Sequence, residues 1–238
     1  MSAREPVAEG VRPIVREGCR DASTVVLAYV PFGLALGATL ARTGVDPVIG
    51  WVSSPLMFGG AAQLLAVQML GAHVDAAVVV LGALVVNARM LLYSASVAPH
   101  ARAWPARWRW AGAYLLADPV YALVVGRFGR PDRGGAPRDR LAYYLAVGVT
   151  LWIGWMSLTG AGAVLAGVLP PSLPLALAAP LTFLLLLLPM LASGAAYAAA
   201  ATGGVVAVLA SGLPLGLGLL LGAAAGVTVG GLVGARHA

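Results

Sequence analysis

The chain has 238 residues, of which 60% are hydrophobic and 10% charged, whereas a soluble domain of this size carries about a quarter charged residues. Its formal charge is +6 and every basic residue is arginine, but the arginines fall in short segments between apolar runs. That is where the positive-inside rule puts them, so the charge points to a bilayer and excludes a nucleic-acid partner, and the single cysteine, Cys19, excludes an intramolecular disulfide.

The apolar runs are continuous, without the alternation of a barrel strand, and about 20 such residues cross a bilayer as a helix. A helix also satisfies its own backbone polar groups, as lipid requires. Residues 1–21 mix arginines and glutamates and read as a cytoplasmic N-terminal segment without a cleavable signal. Residues 22–41 form the first span, interrupted by Pro31, Gly33 and Gly37, and residues 48–71 the second, carrying Ser53, Ser54, Pro55 and the run Gly59 to Gln63. Residues 76–98 form a third span that holds Asn87 and Arg89, and residues 110–125 a shorter one with Asp118-Pro119 at its middle. The polar stretch 126–140 divides the molecule. Spans are then expected at 141–168, 175–191, 197–210 and 215–233.

The expected fold is all-α, a polytopic integral membrane protein with about seven to eight transmembrane helices, some broken by proline or glycine. One transporter domain covers residues 22–234, with a polar half 22–125, a basic loop 126–140 and a second half 141–234. Arg4, Arg12, Arg16 and Arg20 and the arginines of the 126–140 loop both belong in the cytoplasm, and four spans between them allow it. The same count places Arg102, Arg107 and Arg109 outside, against the rule.

Polar groups inside spans are costly and therefore informative. Asp118 is the only acid deep in a span. It reads as a proton-coupling or ammonium site, or else as half of a structural ion pair. Helical spacing puts Tyr114 and Tyr121 on its face. Arg89, with Tyr93 and Ser96 on its face, suits a carboxylate, Asp118, or a snorkelling role. Pro55 and the small residues Gly59 and Gly60 predict a broken helix, and Pro31-Phe32-Gly33 a second break. Transporters bind substrate at such half-helix ends, so Pro31, Gly33, Gly59, Gly60, Gln63, Asn87, Arg89 and Tyr93 are candidate substrate-binding residues. The bland alternative is a kink with close packing.

In the last span Gly218, Gly222, Gly226, Gly230 and Gly234 recur every four residues. That smooth face predicts helix packing, against a partner left open. An enzyme is not expected: there is no Walker-type loop and no paired metal-ligand motif. His73, His100 and His237 fall in connectors or at the terminus, and Ser193-Gly194 has no histidine in a later span to act as base. No cofactor and no metal is expected.

Tyr29-Val30-Pro31-Phe32-Gly33 with Gly37, then Ser54 and Phe58-Gly59-Gly60-Ala61-Ala62-Gln63, then Asn87-Ala88-Arg89 with Leu92-Tyr93-Ser94 and Ser96, resemble the AzlC family. The likeness continues through Ala117-Asp118 and more loosely through Trp152, Pro180 and Phe183. That family comprises the large subunits of branched-chain amino acid exporters. The resemblance implies export of valine, leucine, isoleucine or methionine across a bacterial inner membrane, together with a small AzlD-type membrane subunit. One departure is Met90, where the family usually has a histidine. An uncoupled channel or uniporter and a non-transporting membrane scaffold are the alternatives. Solute flux separates transport from scaffold, and dependence on a pH gradient separates carrier from channel.

Overall fold

Continuous apolar sequence with few β-branched runs and no barrel alternation folds here as helices. The computed structural model describes residues 10–42, 46–71, 73–130, 135–168, 193–213 and 217–235, with Leu184, Leu187, Leu188 and Leu191. Among them lie ten helices and no strand: α1 Val11–Arg42, α2 Pro47–Met57, α3 Gly60–Gly71, α4 Ala76–Asn87, α5 Arg89–Ala101, α6 Ala106–Leu115, α7 Asp118–Phe128, α8 Pro137–Leu165, α9 Gly194–Leu209 and α10 Leu217–Ala235. Most of the expected span 175–191 and its preceding turn lie outside the described residues.

Three helical stretches are long and apolar enough to cross a membrane: Val11–Arg42, Ala76–Ala101 and Pro137–Leu165. Large apolar side chains stand on the outside, among them Leu27, Leu56, Leu91, Val164 and Leu209, each more than 70% exposed. A water-soluble surface rarely tolerates so many; a lipid-facing one requires them. The chain is a helical membrane protein.

It divides into two compact units, one taking the chain up to Leu27 and residues 93–155, the other residues 28–92 and those from 156 on. In the first, α1 and α8 run parallel: a Cβ on Gly18 would meet Tyr143 and Ala146, and one on Gly154 would meet Val26. The charged start of α1 is tied down in the same unit. Glu17 pairs with Arg127 at 3.0 Å, and the Tyr143 hydroxyl donates to Asp21 at 3.0 Å. Those partners explain why α1 begins at Val11, eleven residues before the apolar run.

One expectation is corrected. Pro31 does not break the first span, because α1 is one helix of 32 residues through it. Gly33 is a packing position: a Cβ there would lie 2.6 Å from Leu158 Cβ. The third span runs from Ala76 to Ala101 as expected, with the helix tightening by one turn at Ala88, whose backbone stays helical at φ −56° and ψ −26°.

In the second unit α9 and α10 form an antiparallel hairpin. Added Cβ atoms at Gly218, Gly222, Gly226 and Gly230 would lie 2.5 Å from Ala210 O, 2.5 Å from Gly203 O, 2.8 Å from Ala199 O and 2.8 Å from Ala199 Cβ. The glycine face therefore packs inside the chain, on small residues Ala195, Ala199, Gly203 and Ala207 spaced one turn apart. Such backbone approach replaces the hydrophobic effect, which is absent between helices in lipid. Ser193 caps α9, its Oγ accepting from Ala196 N at 3.2 Å.

Candidate functional site

The second unit contains the break between α2 and α3. Pro55 removes a backbone donor inside α2, and the helix closes with Phe58 N donating to Ser54 O at 3.0 Å. Phe58 then takes a positive φ of 32°, and Gly59 carries the chain into α3, whose first internal bond is Gln63 N to Gly59 O at 2.8 Å. The backbone N–H groups of the first turn of any helix have no internal partner. Here that turn consists of Gly60, Ala61 and Ala62, whose own side chains are small.

Gln63 is fully buried, and its Nε2 donates to Ser53 Oγ at 2.9 Å and to Ser54 Oγ at 2.7 Å. Both amide hydrogens thus reach back across the break and staple α3 to α2. A buried amide is tolerated in an apolar setting only when it is bonded in this way. Alongside, Ala62, Ala83 and Val86 form a small-residue core with Met57, Ala61 and Leu65, which seats α3 on α4.

Asn87 ends α4 opposite the first break. Its Oδ1 is buried and accepts no hydrogen bond among the described residues. A Cβ on Gly59 would lie 3.2 Å from that oxygen and 3.3 Å from Met57 O, so Asn87 packs closely against the turn. Ala88 follows as a turn, its N–H bonded to Val85 O, and Arg89, half-buried, opens α5. The break at Gly59 therefore lies beside Asn87, whose oxygen is buried without a partner among the described residues.

The first unit holds a second polar group. Asp118 lies at the start of α7, after a break at Leu116-Ala117, with Pro119 in the first turn. Proline suits that position because its missing N–H is not required there, and a carboxylate suits the positive end of the helix dipole. Tyr93 donates to Asp118 Oδ1 at 3.1 Å. The Tyr93 ring stacks on Tyr121 with centroids 4.2 Å apart, and the Tyr121 hydroxyl donates to Ser96 Oγ at 3.2 Å. Tyr114, expected beside Asp118, instead accepts from Trp152 Nε1 at 2.7 Å.

Gln63, Asn87, Arg89, Gly59 and Gly60 thus share one unit, and Tyr93 and Asp118 the other. Sequence reasoning missed the serine partners of Gln63. Two serines ten and nine residues before a buried glutamine were the available signal. Among the described residues no group of three histidine, cysteine or acidic side chains is placed to hold a metal.

A match to the AzlC protein family spans residues 24–169, a segment that holds the α2–α3 break and Asp118. The chain is 26% identical over 152 residues to an Escherichia coli (strain K12) inner membrane protein, YgaZ, covering 62% of this chain and 59% of that one. It is 27% identical over 131 residues to an uncharacterized membrane protein of Helicobacter pylori (strain 26695), covering 55% of this chain and 56% of the relative. With a membrane protein of Archaeoglobus fulgidus it shares 28% over 153 residues, 64% and 62% of the two chains. The aligned segments thus span about three-fifths of the length of these curated relatives. No solved structure matches the chain significantly.

Proposed function

The chain belongs to the AzlC protein family, and on that premise we propose that it is a secondary transporter exporting branched-chain or other neutral amino acids across the bacterial inner membrane. The observation that carries this reading is the helix break at Gly59 beside Asn87, whose buried oxygen has no partner among the described residues. A zwitterion needs donors for its carboxylate and acceptors for its ammonium. The first turn of α3 and Arg89 supply the donors, Asn87 Oδ1 an acceptor, and the apolar faces of α3 and α4 a wall for an aliphatic side chain. Gln63 acts here by holding the break in shape. Pro31 and Gly33 serve the reading only as packing along α1.

Coupling is assigned to Asp118, a titratable carboxylate at a helix break with a tyrosine hydroxyl on it. Proton loading there would exchange the Tyr93 bond for a different one and so link protonation to the position of α5. The N-terminus and the 126–140 loop lie in the cytoplasm, and a small AzlD-type membrane subunit completes the transporter. The test is efflux of single amino acids from vesicles holding the full chain, with and without that subunit. Selective efflux of leucine, valine, isoleucine or methionine supports the proposal. Flux without response to a pH gradient favours the uncoupled channel, and no flux under either condition favours the scaffold.

A further inference from the structure

The segment expected to cross as one span, residues 110–125, is two helices, and contacts within the first unit give their directions. Trp104, just ahead of α6, meets the Tyr144 ring at 5.1 Å, a Cβ on Gly148 would lie 3.0 Å from Leu115 Cβ, and Trp152 Nε1 donates to the Tyr114 hydroxyl at 2.7 Å. The later residues of α6 thus meet the later residues of α8, and the two helices run in the same direction. Asp118 accepts from Tyr93 at 3.1 Å, Tyr121 donates to Ser96 at 3.2 Å, and the Phe128 ring lies 5.1 Å from His100. By the same reasoning α7 runs in the direction of α5. The ends of α5 and α7 meet the start of α8: His100 Nδ1 accepts from Arg140 at 3.1 Å, and Arg140 sits over the Phe128 ring at 5.8 Å. A short connector, Arg102 to Pro105, joins α5 to α6. α6 therefore leaves from that end and α7 returns to it.

α6 has 10 residues and α7 has 11, so each is about 15–17 Å long, half of a hydrocarbon core of about 30 Å. α8 carries no charge after Arg140. Gly148 and Trp152, the partners of the α6 end, lie about 12 and 18 Å further along it at about 1.5 Å per residue. The turn at Leu116-Ala117 is therefore near mid-depth. Non-helical backbone is tolerated there when protein covers it, and Ala117 is 5% exposed.

We propose that α6–α7 is a re-entrant hairpin. It enters the bilayer from the face that carries the start of α8, turns at Leu116-Ala117 and leaves by the same face, so Asp118 is carried to mid-depth on a stalk rooted in that face. Arg102, Arg107 and Arg109 then share a face with Arg127, Arg130, Arg138 and Arg140. The Glu17–Arg127 pair brings the start of α1, with Arg12, Arg16 and Arg20, to it as well. One span through 110–125 would put the first of these groups on the opposite face, against the positive-inside rule. The hairpin removes that conflict and makes the shared face cytoplasmic.

The test is side-specific labelling of the full chain with Cys19→Ser and one new cysteine, by a membrane-impermeant maleimide, in inside-out and right-side-out membrane vesicles. Every new position is exposed in the structure. Ala103→Cys, ahead of α6, and Ala136→Cys, ahead of α8, should both label in inside-out vesicles only. Gly167→Cys, past the far end of α8, should label in right-side-out vesicles only, which fixes the sidedness. Tyr114→Cys, two residues before the turn, should label in neither, because a thiol at mid-depth meets no water. Labelling of Ala103→Cys and Ala136→Cys from opposite faces overturns the proposal. So does labelling of Tyr114→Cys from either face, which would place the hairpin in water or its turn at the far surface. Labelling of both Ala103→Cys and Ala136→Cys in right-side-out vesicles alone keeps the hairpin and reverses the orientation of the transporter.

Discussion

The second unit contains two helical hairpins, both packed through small residues, and they solve different problems. In α9–α10 glycines on one face meet alanines and glycines on the other, turn after turn, with neither helix interrupted. The polar side chain of Thr228 turns back to Ala224 O at 2.8 Å in its own helix. In α2–α3–α4 a Cβ on Gly59 or Gly82 would instead meet side chains, Asn87 at 3.2 Å and Met69 at 3.3 Å, and the chain breaks between α2 and α3 and buries Ser54, Gln63 and the Asn87 oxygen. Small residues alone give adhesion. Small residues with broken backbone and buried polar groups give a place where a polar solute can be received in an apolar setting.

If that contrast is right, a bulky residue should be fatal in the adhesive hairpin. In Gly226→Leu, Cβ alone would lie 2.8 Å from the Ala199 carbonyl oxygen and 3.4 Å from Gly203 Cα, with backbone on both sides that cannot yield. Overpacking of this kind costs about 1–3 kcal/mol or more. The expected result is loss of most monodisperse protein on size exclusion after detergent extraction. A variant with wild-type yield and transport would show that the hairpin is not adhesive.

Removing the staple of the broken hairpin should cost less. Gln63→Ala leaves the Ser53 and Ser54 hydroxyls without its amide, at about 1–3 kcal/mol for buried polar groups losing a partner. A lowered melting temperature is expected, with transport reduced in the protein that remains folded. Gln63→Glu would sharpen the point, since it keeps the shape and loses the two donors.

How much of this contrast was legible in sequence depended on whether the responsible residue had a local signature. The glycine ladder did, because a period of four is visible without coordinates. Pro55 with Gly59-Gly60 also announced its break. Pro31 gave the same local signal and was misleading, since α1 continues through it and packs Gly33 on Leu158. Proline restricts its own turn, but tertiary packing decides whether the helix survives. Asn87-Ala88-Arg89 contains no breaker, and the backbone stays helical through Ala88. Asp118 was read as mid-span because hydropathy continues on both sides. Its Pro119 belongs to a helix start, which a kinking proline resembles in sequence.

Asp118→Asn should leave stability almost unchanged, because the amide oxygen can still accept from Tyr93. Its effect should appear only in coupling: exchange of internal for external substrate persists, and acceleration by an imposed pH gradient disappears. Efflux from vesicles with and without the gradient checks this. Unchanged gradient-driven efflux would remove Asp118 from the coupling step. The smallest expected effect is Gly59→Ala, whose Cβ would sit 3.2 Å from Asn87 Oδ1 and displace it by a few tenths of an ångström. Substrate affinity should weaken by a few-fold, with folding near wild type, as read by a binding isotherm.

Asn87→Leu tests the central claim most directly, in proteoliposomes that exchange radiolabelled leucine. The replacement is similar in size and removes a buried acceptor that no described residue satisfies, so the melting temperature should hold or rise. If the oxygen is there for the substrate ammonium, exchange should fall by about tenfold or more, equivalent to at least 1.4 kcal/mol. Exchange at the wild-type rate in a folded Asn87→Leu protein would contradict the account, and the break at Gly59 would then be packing alone.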